Sequence, residues 1–85
     1  MTRPSGVIVS RPSNEYLVFD EQWPDGRKTA VVEVAARSGD LLGVISWFGR
    51  WRQYAFHPRP ATTFNQGCLT TINDYMAALM EDRRG

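Results

Sequence analysis

Four short segments rich in β-branched and aromatic residues follow one another between Tyr16 and His57, and no linker between them is long enough for a crossover. Parallel strands need a connection of about a dozen residues or more, whereas antiparallel neighbours need only a turn. The linkers carry turn chemistry. Trp23-Pro24-Asp25-Gly26-Arg27 is the strongest case: proline presets φ at the second turn position, Asp caps locally, and Gly takes φ > 0. Ser38-Gly39-Asp40 and Gly49-Arg50 supply the next two turns. The pattern predicts strands at Tyr16–Phe19, Thr29–Ala36, Leu41–Trp47 and Trp51–His57. His57-Pro58-Arg59-Pro60 then ends the fourth, since proline has no N–H for a ladder.

The register of the third hairpin has two solutions. A two-residue type II′ turn at Gly49-Arg50 pairs Trp47 with Arg52, Ile45 with Tyr54 and Gly43 with Phe56. It lays an arginine over an indole and an aromatic over a glycine. A three-residue turn pairs Trp47 with Trp51 instead. The first is preferred, and it puts Ile45, Trp47, Tyr54 and Phe56 on one face as core.

A helix follows. Asn65 is its expected N-cap, with Phe64 and Leu69 in the positions of a hydrophobic staple. Leu69, Ile72, Met76, Leu79 and Met80 recur at helical spacing, and the helix is expected to end near Glu81. Arg83 and Arg84 suit the negative end of the helix dipole. One apolar helix face needs one apolar sheet face. The expected fold is α+β: a four-stranded antiparallel β-meander with one C-terminal α-helix packed on one face. Residues 1–13, with Pro4, Ser5, Ser10, Pro12 and Ser13, read as a flexible arm with a short extended piece at Gly6–Ser10. Residues 14–85 make one domain.

Composition narrows the chemistry. The single cysteine, Cys68, excludes an intrachain disulfide and fits a reducing cytoplasm. One His and one Cys do not make a structural zinc site. Cys68 in the first helical turn has some claim to reactivity, but a lone cysteine is more often a small buried hydrophobe. No phosphate-binding loop or dinucleotide fingerprint occurs. No secretory signal or membrane span is visible. The expectation is a protein with no catalytic residues, no cofactor, no metal and no membrane partner.

What remains is Ser46–Pro60, which holds five of the ten aromatics. No Asp or Glu lies between Asp40 and Asp74, while residues 15–40 are acid-rich, so the molecule is polarised despite a net charge of +1. Rigid aromatics beside arginines dominate binding hot spots. With Ile45, Trp47, Tyr54 and Phe56 assigned to the core, the candidate partner-binding residues are Phe48, Arg50, Trp51, His57 and Arg59. The second sheet face has no helix to cover it, and Val44, Ala55, Trp51 and either Val31 or Val32 are expected there.

Gly43-Val44-Ile45-Ser46-Trp47, then Trp51-Arg52-Gln53-Tyr54-Ala55-Phe56-His57-Pro58, then Phe64-Asn65-Gln66-Gly67-Cys68-Leu69 resembles a pattern in small uncharacterised proteins of actinobacterial phages and prophages. The resemblance spans roughly residues 30–82 and agrees with the excess of Arg over Lys, which suggests a GC-rich genome. It implies origin and no assigned activity. The leading expectation is a phage or prophage accessory protein in the cytoplasm of an infected or lysogenic host, binding a host or phage protein. A homodimer is expected through an edge strand or the bare sheet face. The alternatives are a nucleic-acid-binding module that uses the Arg-Trp hairpin, and a minor virion component.

Overall fold

The computed structural model describes residues 11–84 and contains, in order, β1 (Leu17–Gln22), β2 (Val31–Ala36), β3 (Leu41–Phe48), β4 (Gln53–Pro58) and α1 (Gln66–Arg84). The strands lie side by side in chain order, each antiparallel to the next. This is the expected α+β meander. The expected extended piece at Gly6–Ser10 lies outside the described residues, as do the first ten positions of the expected arm.

Alternation decides the layers. Leu17 and Phe19 of β1, Val32 and Val34 of β2, Ile45 and Trp47 of β3, and Tyr54 and Phe56 of β4 face inward. Val32, Val34, Ile45 and, from the helix, Leu79 are completely buried. Gln66 begins the helix as expected. Asn65 caps it: its side-chain Oδ1 accepts the Cys68 N–H at 2.7 Å, and its carbonyl accepts the Leu69 N–H at 3.0 Å.

The helix face is rotated from the expected one. Cys68, Ile72, Tyr75 and Leu79 are buried, with Met76 and Met80 partly buried beside them. Leu69 is 51% exposed. Phe64 turns its ring into the core and meets Phe56 edge-on at 5.4 Å. Tyr75, outside the expected apolar stripe, sets the rotation. Its ring stacks on Phe19 at 4.3 Å, which leaves Leu69 pointing away. Cys68 is thus a buried free thiol in the core. The helix also runs on to Arg84, one turn beyond the expected end.

The β3–β4 register differs from both sequence solutions. Trp47 pairs with Tyr54, Ile45 with Phe56 and Gly43 with Pro58. Phe48 extends β3, so the loop has four residues, Gly49 to Arg52. Trp51 N–H donates to the Phe48 carbonyl at 3.1 Å and Arg52 N–H to Gly49 at 3.2 Å, and Arg52 leaves the loop with φ +54°. The change from the preferred register is a slip of two, so every side chain keeps its face. The arginine over Trp47 is Arg83, 4.7 Å from the ring, in place of Arg52. Pro58 is the last residue of β4, so the strand ends within His57–Pro60 as expected, and β4 is an edge strand.

A bulge re-aims the start of β3. Val34 pairs with Gly43 but Ala35 with Leu41, so Leu42 is the extra residue and packs against the core. Gly43 is a close approach: a Cβ there would lie 2.7 Å from the His57 carbonyl and 2.7 Å from the Phe56 ring. The expected aromatic-over-glycine contact exists, made diagonally. Because the carbonyl belongs to the backbone and cannot swing away, Gly43→Ala is expected to cost about 1–3 kcal/mol in urea unfolding. A cost near zero would show that the Phe56 ring and strand β4 yield freely.

Candidate functional site

Among the described residues, no helix lies on the outward face of the sheet. Val18, Asp20 and Gln22 of β1, and Val31, Glu33 and Ala35 of β2, alternate with the core residues. Val44, Ser46 and Phe48 of β3 continue the face, as do Gln53, Ala55 and His57 of β4. Of the two valines weighed for this face, Val31 lies here, while Val32 is completely buried in the core. One row, Asp20–Glu33–Val44–His57, crosses all four strands through directly paired residues.

The aromatic patch forms at the hairpin end of this face. The four-residue loop folds Trp51 back so that its indole meets the Phe48 ring edge-on at 4.6 Å. His57 approaches Phe48 from β4 at 6.4 Å. Trp51 is nevertheless 62% exposed, and Arg50, Arg52 and His57 are exposed as well. Trp47, Tyr54 and Phe56 are more buried, as the sequence predicts. Three of the five candidate residues therefore come together, Phe48, Trp51 and His57, and Arg50 adjoins Trp51 in the loop. Arg59 does not join them. It follows the far end of β4, where its N–H donates to the Leu42 carbonyl at 2.8 Å.

The sequence reading missed a second cluster, on the inward side. Glu21 Oε1 accepts from Arg11 Nε at 2.8 Å and from the Tyr75 hydroxyl at 2.6 Å. Its Oε2 accepts from Arg11 Nη2 at 3.2 Å and from Trp23 Nε1 at 2.7 Å. Arg11 Nη2 also reaches Asp82 at 2.6 Å. Burial alone would raise the Glu21 carboxyl, but the hydrogen bonds from Arg11, Tyr75 and Trp23, with the Arg11 charge, hold it down at about 2. The Tyr75 hydroxyl is pushed well above the usual tyrosine value, first by burial and then by the bond to Glu21. A carboxylate this acidic is a poor base at neutral pH. Its role is to join the segment at Arg11, strand β1, the Trp23 turn and the helix at Tyr75, while Arg11 reaches the helix end at Asp82. The available signal was period two: Leu17, Phe19 and Glu21 share a face, so the acid had to enter the core side.

A shallow depression of about 290 Å³ lies beside this cluster, with Arg11, Leu17, Phe19, Arg37 and Tyr75 among its walls. Among the described residues there is no group of three or more His, Cys, Asp or Glu placed to hold a metal ion. No described helix is long and apolar enough to cross a membrane.

No protein-family model matches the chain, and no solved structure matches it. Among curated proteins, the "Uncharacterized 9.3 kDa protein" of Acholeplasma phage L2 is 43% identical over 74 residues, which cover 85% of this chain and 94% of that protein. The match supports a small phage protein. It comes from an Acholeplasma phage, and the narrower actinobacterial pattern is not shown by it.

Proposed function

Since the chain belongs to the family of that small phage protein, we propose that it is a non-catalytic accessory protein of a phage or prophage. It acts in the cytoplasm of the infected or lysogenic cell by binding a host or phage protein. The binding surface is the uncovered sheet face, centred on Phe48, Arg50, Trp51 and His57. The observation that carries this reading is Trp51, 62% exposed on a loop with no acid nearby in sequence. A tryptophan left in water is costly, and tryptophan with arginine is the composition of interface anchors.

Affinity capture from host lysate, with mass spectrometry, tests it. Arg50→Ala combined with Trp51→Ala is expected to weaken capture by at least about 2 kcal/mol. The fold is expected to survive, because Trp51 contacts Phe48 on the outer face and lies outside the core cluster. A folded double variant that captures the same protein at full strength would place the interface elsewhere.

The second reading, single-stranded nucleic acid stacked on Trp51 and Phe48 with Arg50 and Arg52 at phosphates, has the same residues in its favour. Asp20 and Glu33 stand against it, because they occupy the other half of the same face.

A further inference from the structure

We infer that the uncovered sheet face is occupied by the same face of a second copy of this chain, related by a two-fold axis parallel to the strands. The inference rests on the reading that this face is the binding surface, and it names the partner.

Charge is the first argument. The row Asp20–Glu33–Val44–His57 places both carboxylates on β1 and β2 and the imidazole on β4, beside the acid-free hairpin with Arg50 and Arg52. A polyanion laid across this face meets Asp20 and Glu33. A surface with carboxylates on β1 and β2 and an imidazole on β4 matches acceptor to donor in only one orientation. A two-fold axis midway between β2 and β3 supplies that orientation, because it lays each β1 over the other copy's β4. Asp20 of one copy then faces His57 of the other, and the contact occurs twice, as an isologous interface requires. An ionised carboxylate accepts what an imidazole N–H donates.

The middle of the face is the second argument. Val31 and Ala35 flank Glu33 on β2, and Val44 and Ala55 follow on β3 and β4, each partly exposed. Two sheets stack with their strands within about 30° and their faces about 10 Å apart, which lets such side chains interdigitate. The third argument is area. Four strands about 4.8 Å apart and six residues of about 3.3 Å each span roughly 400 Å² in projection. Two such faces with their side chains, and Trp51 at the rim, bury on the order of 1,000 Å², the lower bound for a specific interface.

Sedimentation equilibrium of the full chain at rising concentration tests this. Monomer and dimer in reversible exchange are expected. Val44→Glu, at the centre of the face, is expected to raise the dimer Kd by about tenfold or more. Asp20→Lys and His57→Glu are each expected to weaken dimerisation, and the double variant to regain it, because each new lysine then meets a new glutamate. Circular dichroism confirms that every variant is folded, and the charge pair keeps the test open should Val44→Glu misfold. A dimer unaffected by Val44→Glu and by the charge reversals overturns the inference and assigns the contact to an edge strand. A chain that stays monomeric at every concentration also overturns it. Retention of that monomer on single-stranded DNA, lost in Trp51→Ala, would give the face to nucleic acid. Capture of a protein by that monomer, lost in Arg50→Ala with Trp51→Ala, would leave the broader reading standing and remove only the second copy.

Discussion

Glu21→Ala is expected to be among the most damaging single substitutions, at about 3–5 kcal/mol, because it breaks a largely buried ion pair. Among the described residues the carboxylate accepts two hydrogen bonds from Arg11, one from Tyr75 and one from Trp23. Its side chain is 15% exposed and that of Arg11 18%, so water replaces these bonds poorly. A domain of this length has a total stability of roughly 4–13 kcal/mol. The loss is therefore a large share of the whole, read as a lower urea midpoint. A loss under about 0.5 kcal/mol, the range of ordinary surface changes, would mean that the cluster is solvated and structurally idle.

The same carboxylate sets an acid limit. Its folded value, about 2, lies below its ordinary 4.5, so the folded state binds the proton less readily than the unfolded chain. The contribution is complete above pH 4.5, fades as pH falls towards 2, and is gone below that. The shift corresponds to no more than roughly 3 kcal/mol, reduced by solvent screening of a partly buried group. Glu21→Gln is expected to flatten this part of the stability profile. It keeps the shape but cannot titrate, and it turns one acceptor into a donor facing donors. An unchanged acid profile in Glu21→Gln would assign the acid sensitivity to other groups.

Ile72→Ala is expected to cost about 2–5 kcal/mol, as a buried large-to-small change does. Ile72 is 2% exposed and packs within the cluster that contains Ile45, Val34 and Leu79. Leu69→Ala, three residues earlier on the same helix and 51% exposed, is expected to stay within about 0.5 kcal/mol. The pair of substitutions reads the helix face directly. Equal losses would mean that the helix sits with Leu69 inward, as the sequence pattern alone suggested.

Legibility followed the range of the interactions. Strand order, the helix start at Gln66 and the Asn65 cap depend on residues a few positions apart, and these were all readable. The exposure of Arg50, Trp51 and His57 relative to Trp47, Tyr54 and Phe56 was readable too, since a slip of two residues preserves every face. The register itself was not. It depends on Phe48 and Trp51 packing together and on Arg52 at φ +54°, a conformation that residue type alone does not announce.

By itself the sequence determined an antiparallel meander, one helix across one of its faces, and an aromatic, arginine-rich hairpin beside a second face that no described helix covers. Short linkers, strand alternation and capping are local, so they are written in order along the chain. Only the tertiary structure decided which helix face is inward, that Arg59 stands apart from the hairpin patch, and that Arg11, Glu21, Tyr75 and Asp82 meet. Those outcomes depend on groups brought together from opposite ends of the chain, Arg11 to Asp82. Whether a buried charge finds its partner is settled by packing in three dimensions, where sequence separation carries no information.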